Sequence, residues 1–446
     1  MKKGLALALG ASGVLLLAWG ISLDQSVVGK YRFYAVSAGY MLGAAAVLSG
    51  ARRRTSMLLA PLVLGYLLVA YTFYVRARFP DNLIFRPSGY VTLWHVLMGN
   101  TIALTAYEPR PSLTVQHQEV MRARYPAIDM HFHLGSLVNV DADALVKAMD
   151  AAGIAKVVNL DGLPGDLAKF RREFHDKYPD RFVMFARLDL TRLFATADGI
   201  EKEAAALERA VRSGAAGLKV TKELGLKLRD GAGQLVAIDD PRLDPIWTAA
   251  GDLGVPVLLH VVDPTPFFDP VDRFNERYVE LKQFPEWSYY GPAFPRKEPL
   301  LAQRENLLQR HPSTIIIGAH LGQNPDNLAY TGKLLDRYPN YYVDIAAVLP
   351  ELGRQPFTAR EFFVKYQDRI LFASDGGFGL GGRRWPVERF FRTYFVFLET
   401  RNEYFEYPLW GIQKQGDWRI YGLDLPDDVL QKIYYRNAAH ILRLDP

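Results

Sequence analysis

Five side chains that could hold or work on a divalent ion close short apolar runs: His131, His133, His260, His320 and Asp375. The first run ends Asp129-Met-His131-Phe-His133-Leu-Gly. Strand side chains alternate with period two, so His131 and His133 should point one way, and Met130 and Phe132 the other, toward surrounding helices. Two adjacent imidazoles can share one ion and suit zinc or similar divalent metals. His-x-His alone is a weak signal. The endings Val257-Leu-Leu-His260, Ile316-Ile-Gly-Ala-His320 and Phe372-Ala-Ser-Asp375 strengthen it, because burying such groups is costly unless they are paired or ligated. Each histidine alone reads as a satisfied core or turn residue. The set reads as metal-centred chemistry, in which a divalent ion lowers the pKa of a water and a nearby imidazole shuttles the proton.

Two cations sit beside these groups in the chain pattern. Lys219, in Gly217-Leu-Lys-Val, should point inward, either paired to a carboxylate or gripping an anionic substrate. Arg187 ends another apolar run, where its planar fork could take a substrate carboxylate or form a rim salt bridge. Asp129 falls one inward step below His131 and is expected to orient the ligands, whereas Asp344 reads as structural. His95, His117, His175, His311 and His440 lack metal-like spacing.

The elements that must position these residues are eight strand-like runs: Ala127–His133, Ala155–Leu160, Phe182–Leu188, Gly217–Val220, Val255–His260, Thr314–His320, Tyr341–Ala346 and Ile370–Asp375. Amphipathic stretches fall between them, including Asp141–Ala152, Ile200–Ser213, Pro241–Leu253 and Leu300–Arg310. Eight buried strands alternating with helices imply a parallel α/β (β/α)8 TIM barrel, with its ligand-bearing ends on one rim. An open doubly wound sheet is the alternative, weakened because no Gly-rich dinucleotide loop follows the first strand. Two connections stand out. Val261–Pro299 is rich in aromatics and prolines and serves either substrate contact or surface packing. Gly376–Arg384 is Gly-rich and suits either a mobile loop or a phosphate cradle.

Residues 1–108 differ in kind. Leu5–Ile21, Tyr34–Leu48 and Met57–Val75 are apolar runs with basic flanks and predict three transmembrane helices, with Val91–Tyr107 a fourth candidate. Pro109–Pro126 reads as a linker, and 127–446 as the barrel. The expected location is a multi-pass membrane one, with the barrel on the extracytoplasmic side and the lipid bilayer as a partner. The chain has 446 residues, 23% charged, a net charge of +5 and no cysteine, which excludes disulfides, Cys-based zinc sites and a Cys nucleophile. No nucleic-acid signature is present. Oligomeric state is open, a homodimer included.

From about Pro126 onward the pattern resembles the amidohydrolase superfamily, and most its amidohydrolase-related branch, which includes the aminocarboxymuconate-semialdehyde decarboxylase type. Tyr434-Tyr-Arg-Asn437-Ala-Ala is similar to that family's closing helix. The resemblance implies that His131, His133, His260 and Asp375 bind one divalent ion, Zn²⁺ first and Mn²⁺ as an alternative. His320 would then be the acid/base, with Asp375 also placed at the reacting centre. Elsewhere in the superfamily a lysine near Lys219 is carboxylated and bridges two metals, so a binuclear site is the competing arrangement. Hydrolysis of a small ester, lactone or amide is the first expectation. Non-oxidative decarboxylation of a small carboxylic acid is the second, and a catalytically idle binding module the third.

Overall fold

The computed structural model describes residues 110–135, 140–377, 387–407, 415–416 and 418–444. The chain divides into two compact units, Met1–Pro111 and Ser112–Pro446. Nearly all of the first unit, with every expected transmembrane segment, lies outside the described residues. Among the described residues no helix is long and apolar enough to cross a membrane. The expected multi-pass membrane location is corrected accordingly.

Parallel strands run through the second unit: β1 (Ala127–His133), β2 (Ile154–Asn159), β3 (Phe182–Arg187), β4 (Gly217–Val220), β5 (Val257–Leu259), β6 (Ile316–Gly318), β7 (Tyr341–Asp344), β8 (Ile370–Leu371) and β9 (Gly376–Gly377). Their order is β8-β7-β6-β5-β4-β3-β2-β1-β9. Of the eighth expected run only Ile370–Leu371 is strand. That part pairs with β7, and the chain's continuation in β9 pairs with β1. Met130 N donates to Phe372 O at 3.0 Å and Asp375 N to His131 O at 2.9 Å, joining the first and last strands. This curled parallel sheet is consistent with a (β/α)8 barrel. Gly376 and Gly377, expected in a loop, are strand residues here, and the remainder of that loop lies outside the described residues.

The major helices are α1 (Ala142–Ala152), α2 (Gly199–Arg212), α3 (Asp244–Leu253), α4 (Lys297–Arg310), α5 (Leu328–Arg337), α6 (Pro356–Lys365), α7 (Val387–Glu399) and α8 (Asn437–Leu442). The boundaries of α1 follow local chemistry. The Asp141 side chain accepts from Ala144 N, and Gly153 ends the helix at a left-handed φ of 77° that glycine adopts without steric penalty.

Strand residues alternate between two apolar clusters. Ala127, Val257, Leu259, Ile316 and Val343 join the large cluster shared with the outer helices. Ile128, Val158, Phe185, Leu258, Ile317 and Leu371 form a small inner cluster closed by Ala438 and Ile441 of α8. Phe132 packs outward against Phe391, as alternation predicts, but Met130 joins the inner cluster. The β1–β2 register shifts between Asp129 and Phe132, and that irregularity resets the alternation just before the histidines. Part of the expected linker also docks on the barrel unit: Gln118 N donates to Asn402 Oδ1 at 2.8 Å, and Asn402 Nδ2 returns a bond to Gln118 O at 2.9 Å.

Candidate functional site

The strand ends bring His131, His133, His260, His320, Asp375 and Lys219 to one rim. His131 is 1% exposed, and its Nδ1 donates to Asp344 Oδ2 at 2.9 Å. Its Nε2 then faces Asp375 Oδ1 at 3.3 Å. His133 repeats the arrangement, with Nδ1 donating to Asp161 Oδ1 at 2.6 Å and Nε2 at 3.0 Å from the same Asp375 oxygen. Two ligand atoms about 2.1 Å from one ion stand roughly 3.0–3.4 Å apart, so both separations suit shared coordination. With each Nδ1 proton committed to a carboxylate, each Nε2 presents a lone pair toward a carboxylate oxygen. Only a cation or an added proton makes those contacts favourable, so the donor set fits a divalent ion.

His320 closes the cluster. Its ligand atom and those of His131 and Asp375 all lie within 4.8 Å of one another. Its Nδ1 donates to Ala346 O at 2.8 Å, which leaves Nε2 uncommitted. The His260 and His320 rings stand 4.5 Å apart edge to face. His260 Nε2 bonds Asp263 Oδ1 at 3.2 Å, and Asp263 also takes Lys222. His260 and His133 are near this three-residue group but outside it. His320 and Asp375 both have positive φ, 53° and 57°, a strained state that clusters at functional sites.

Electrostatics separates the two paired histidines. Burial opposes charging His133, but the bonds and charges of Asp161 and Asp375 outweigh it and raise its pKa to about 9. Burial, reinforced by the Lys219 cation, holds His131 well below the usual imidazole range. Lys219 Nζ is 3.4 Å from His131 Nε2, and burial lowers its pKa to about 8 despite nearby carboxylates. Arg187 aligns with Lys219 across β3 and β4, half-buried and without an ion-pair partner among the described residues.

Sequence reasoning missed Asp161 and Asp263, and underrated Asp344. Asp161 lies two residues beyond Asn159, where β2 leaves the sheet, and Asp263 follows His260 by three, so position relative to strand ends was the available signal. Asp344 is fully buried; it accepts from His131 Nδ1 through one oxygen and from His320 N, at 2.7 Å, through the other. Asp129 orients backbone instead of a ligand ring, accepting from His131 N at 3.1 Å and Ser374 N at 3.0 Å.

A cavity of about 350 Å³ opens onto His260, His320 and Asp375. The β5–β6 insertion supplies an aromatic wall: Trp287 stacks on Phe284 at 4.3 Å and on Phe267 at 6.2 Å, and all three line the cavity. This part of the insertion contacts the cavity, whereas Tyr290 is exposed.

A barrel whose strand ends converge on a His/His/Asp cluster is the frame of a metal-dependent enzyme. The family model described as Amidohydrolase matches residues 123–444, and the chain belongs to that family. It is an enzyme, a hydrolase or carboxy-lyase of the amidohydrolase superfamily. No curated protein matches the chain. Similar solved structures include a dihydroxybenzoic acid decarboxylase from Polaromonas with bound manganese and 2-nitroresorcinol, at 17% identity and a TM-score of 0.45 over 72% of this chain and 98% of that one. A 5-carboxyvanillate decarboxylase from Novosphingobium aromaticivorans with manganese is 16% identical, with a TM-score of 0.42 over 75% of this chain and 100% of the other. An uncharacterised TIM-barrel protein from Bordetella bronchiseptica is 14% identical, with a TM-score of 0.44 over 71% and 98%. Likeness at this level says nothing of this chain's substrate.

Proposed function

We propose that this protein is a metal-dependent carboxy-lyase that removes carbon dioxide from a small aromatic carboxylic acid. This reverses the order of the two reactions expected from the sequence. The observation that carries it is the cavity: an aromatic wall of Phe267, Phe284 and Trp287 that ends at the metal-type cluster. A planar ring fits such a wall, and a largely apolar surround, with Lys222, Asp263, Arg277, Glu280 and Glu351 as its charged members beyond the cluster, strips water from the carboxylate whose charge must be dispersed as the bond breaks.

His131, His133, His260 and Asp375 would hold the ion, with Asp344 and Asp161 fixing the rings of the two strand-one ligands. The ion, Zn²⁺ or Mn²⁺, would act as a Lewis acid that orients the substrate and draws off negative charge. Arg187 and Lys219, aligned across β3 and β4 and outside the residues that line the cavity, would receive the carboxylate at the end nearest His131. The bond from ring carbon to carboxylate carbon breaks, carbon dioxide leaves, and the electron pair stays on the ring carbon. That carbon takes a proton delivered from solvent through His320 Nε2, the ring nitrogen free of the Ala346 bond.

The test is a library of aromatic acids, with esters, lactones and amides as the opposing set, offered to metal-loaded full-length protein. Carbon dioxide release that falls at least 100-fold in His320→Ala, with bound metal retained, is the expected result. Ester, lactone or amide cleavage without carbon dioxide release would return the assignment to hydrolysis. Loss of metal in His320→Ala would make His320 a ligand.

A further inference from the structure

Gly318 to Gln323 forms a turn that ordinary side chains resist. His320, Leu321, Gly322 and Gln323 have φ of 53°, 55°, 66° and 56°, a run of left-handed residues. Each non-glycine residue in that state costs about 1–2 kcal/mol, so the turn persists only if its surroundings impose it. The restraint comes from an outer helix. Arg304 of α4 is fully buried. Its Nη1 donates to Gly322 O, and to Gln323 Oε1 at 3.2 Å. Its guanidinium lies 5.5 Å from the centre of the Tyr341 ring and, among the described residues, forms no ion pair. Gln323 is 1% exposed, and its Nε2 donates to Leu259 O at 2.9 Å and Ala319 O at 2.6 Å. Leu259 precedes His260, and Ala319 precedes His320. One side-chain amide therefore ties together the ends of β5 and β6, and the charged group holding that amide reaches none of the five site residues.

Arg304 is an expensive device for stability alone. Its Nε and Nη2 have no hydrogen-bond partner, and a buried cation without a carboxylate is a net cost. Gly322 cannot easily be replaced either, since a Cβ there would collide with Tyr341 Oη. We infer that Arg304 and Gln323 are positioning residues at the metal centre, placing the ligand His260 through Leu259 O and His320 through the left-handed turn. The inference rests on the metal-centred reading of the rim.

Co²⁺ is the probe, titrated into metal-free full-length protein and followed by its visible absorption, which reports coordination geometry. Arg304→Met and Gln323→Met should each weaken Co²⁺ binding by about 10- to 100-fold and alter the spectrum. Arg304→Lys should recover part of the affinity by supplying one donor to Gly322 O. The double variant should be no weaker than the poorer single one, because both act through one link. Trp247→Phe, in the buried core on α3, serves as a stability control. If affinity in all variants simply tracks melting temperature, or if the Arg304 and Gln323 variants bind Co²⁺ with the native affinity and spectrum, the inference is overturned while the metal site stands. If the native protein takes up no Co²⁺, the metal reading falls and the inference with it.

Discussion

The barrel's inner positions show two chemistries within a few ångströms of each other. Leu258 and Ile317 sit level with Lys219 across paired strands, yet the first two belong to the small inner cluster while the third reaches His131. Two residues beyond Leu258, just past the end of β5, the inner position is His260. Below that level, apolar side chains fill the barrel and α8 closes it. Above it, carboxylates, imidazoles and left-handed backbone accumulate. The floor is built for packing, and the rim holds groups in states they would not choose alone. The change from one to the other takes a single inward step per strand, so a rim residue can be strained while the floor beneath it is rigid.

The sharpest way to break this contrast is at the rim. His131→Ala should abolish turnover by at least about 10³-fold and lower bound metal, because it removes a ligand and leaves the buried Asp344 Oδ2 without its imidazole donor. Asp344→Asn keeps the shape but loses the charge that orients the ring, and about 10- to 100-fold in metal affinity should go with it. Metal content per folded chain, measured with turnover, checks both. A His131→Ala protein that keeps full metal would remove the rim from the chemistry.

The floor should respond in stability alone. Leu258→Ala and Ile317→Ala each leave a cavity in a fully buried cluster, which typically costs about 2–5 kcal/mol. Denaturant unfolding should record that loss while the folded fraction keeps its metal stoichiometry. If metal is lost in parallel, floor and rim are not separable in the way the packing suggests. Between the two lies the aromatic wall. Trp287→Leu should raise the KM for an aromatic acid about tenfold with a smaller change in kcat, since it removes stacking and leaves the metal cluster untouched.

Much of this was legible in the sequence because strand ends carry their own signature. β1 and β4 match their expected bounds, and each of the chemistry-bearing endings sits on the predicted rim. What escaped prediction depended on non-local geometry. Alternation could not place Met130, because the register irregularity after Asp129 is settled by pairing with β2. Asp161 and Asp263 leave their strands before reaching a histidine, so no fixed spacing marks them. The bond from Asp344 to His131 joins β7 to β1, and Arg304 acts on β5 and β6 from an outer helix. In each case the decisive partner is remote in sequence, and no periodicity reports it.

The smallest effect concerns how the insertion is fastened beside the wall. Arg277 of the insertion is buried between Glu280, at 3.0 Å, and Glu351. Two carboxylates thus share one guanidinium. Burial is the largest influence on Glu280 and raises its pKa, although Arg277 pulls the other way. An acid whose folded pKa exceeds its unfolded one contributes stability that is full below the unfolded value and is lost as pH rises through the folded value. Glu280→Gln keeps an acceptor for Arg277 and removes that pH-dependent loss, while Glu351 still supplies a counter-charge. The variant's melting temperature should therefore gain on the native protein as pH rises above the ordinary carboxylate range, by no more than about 3 °C. Parallel melts of the two proteins over that rise in pH check it. A variant that instead loses ground as pH rises would mean the ionised Glu280 is a net stabilising partner, and that both carboxylates are needed to hold the insertion over the cavity.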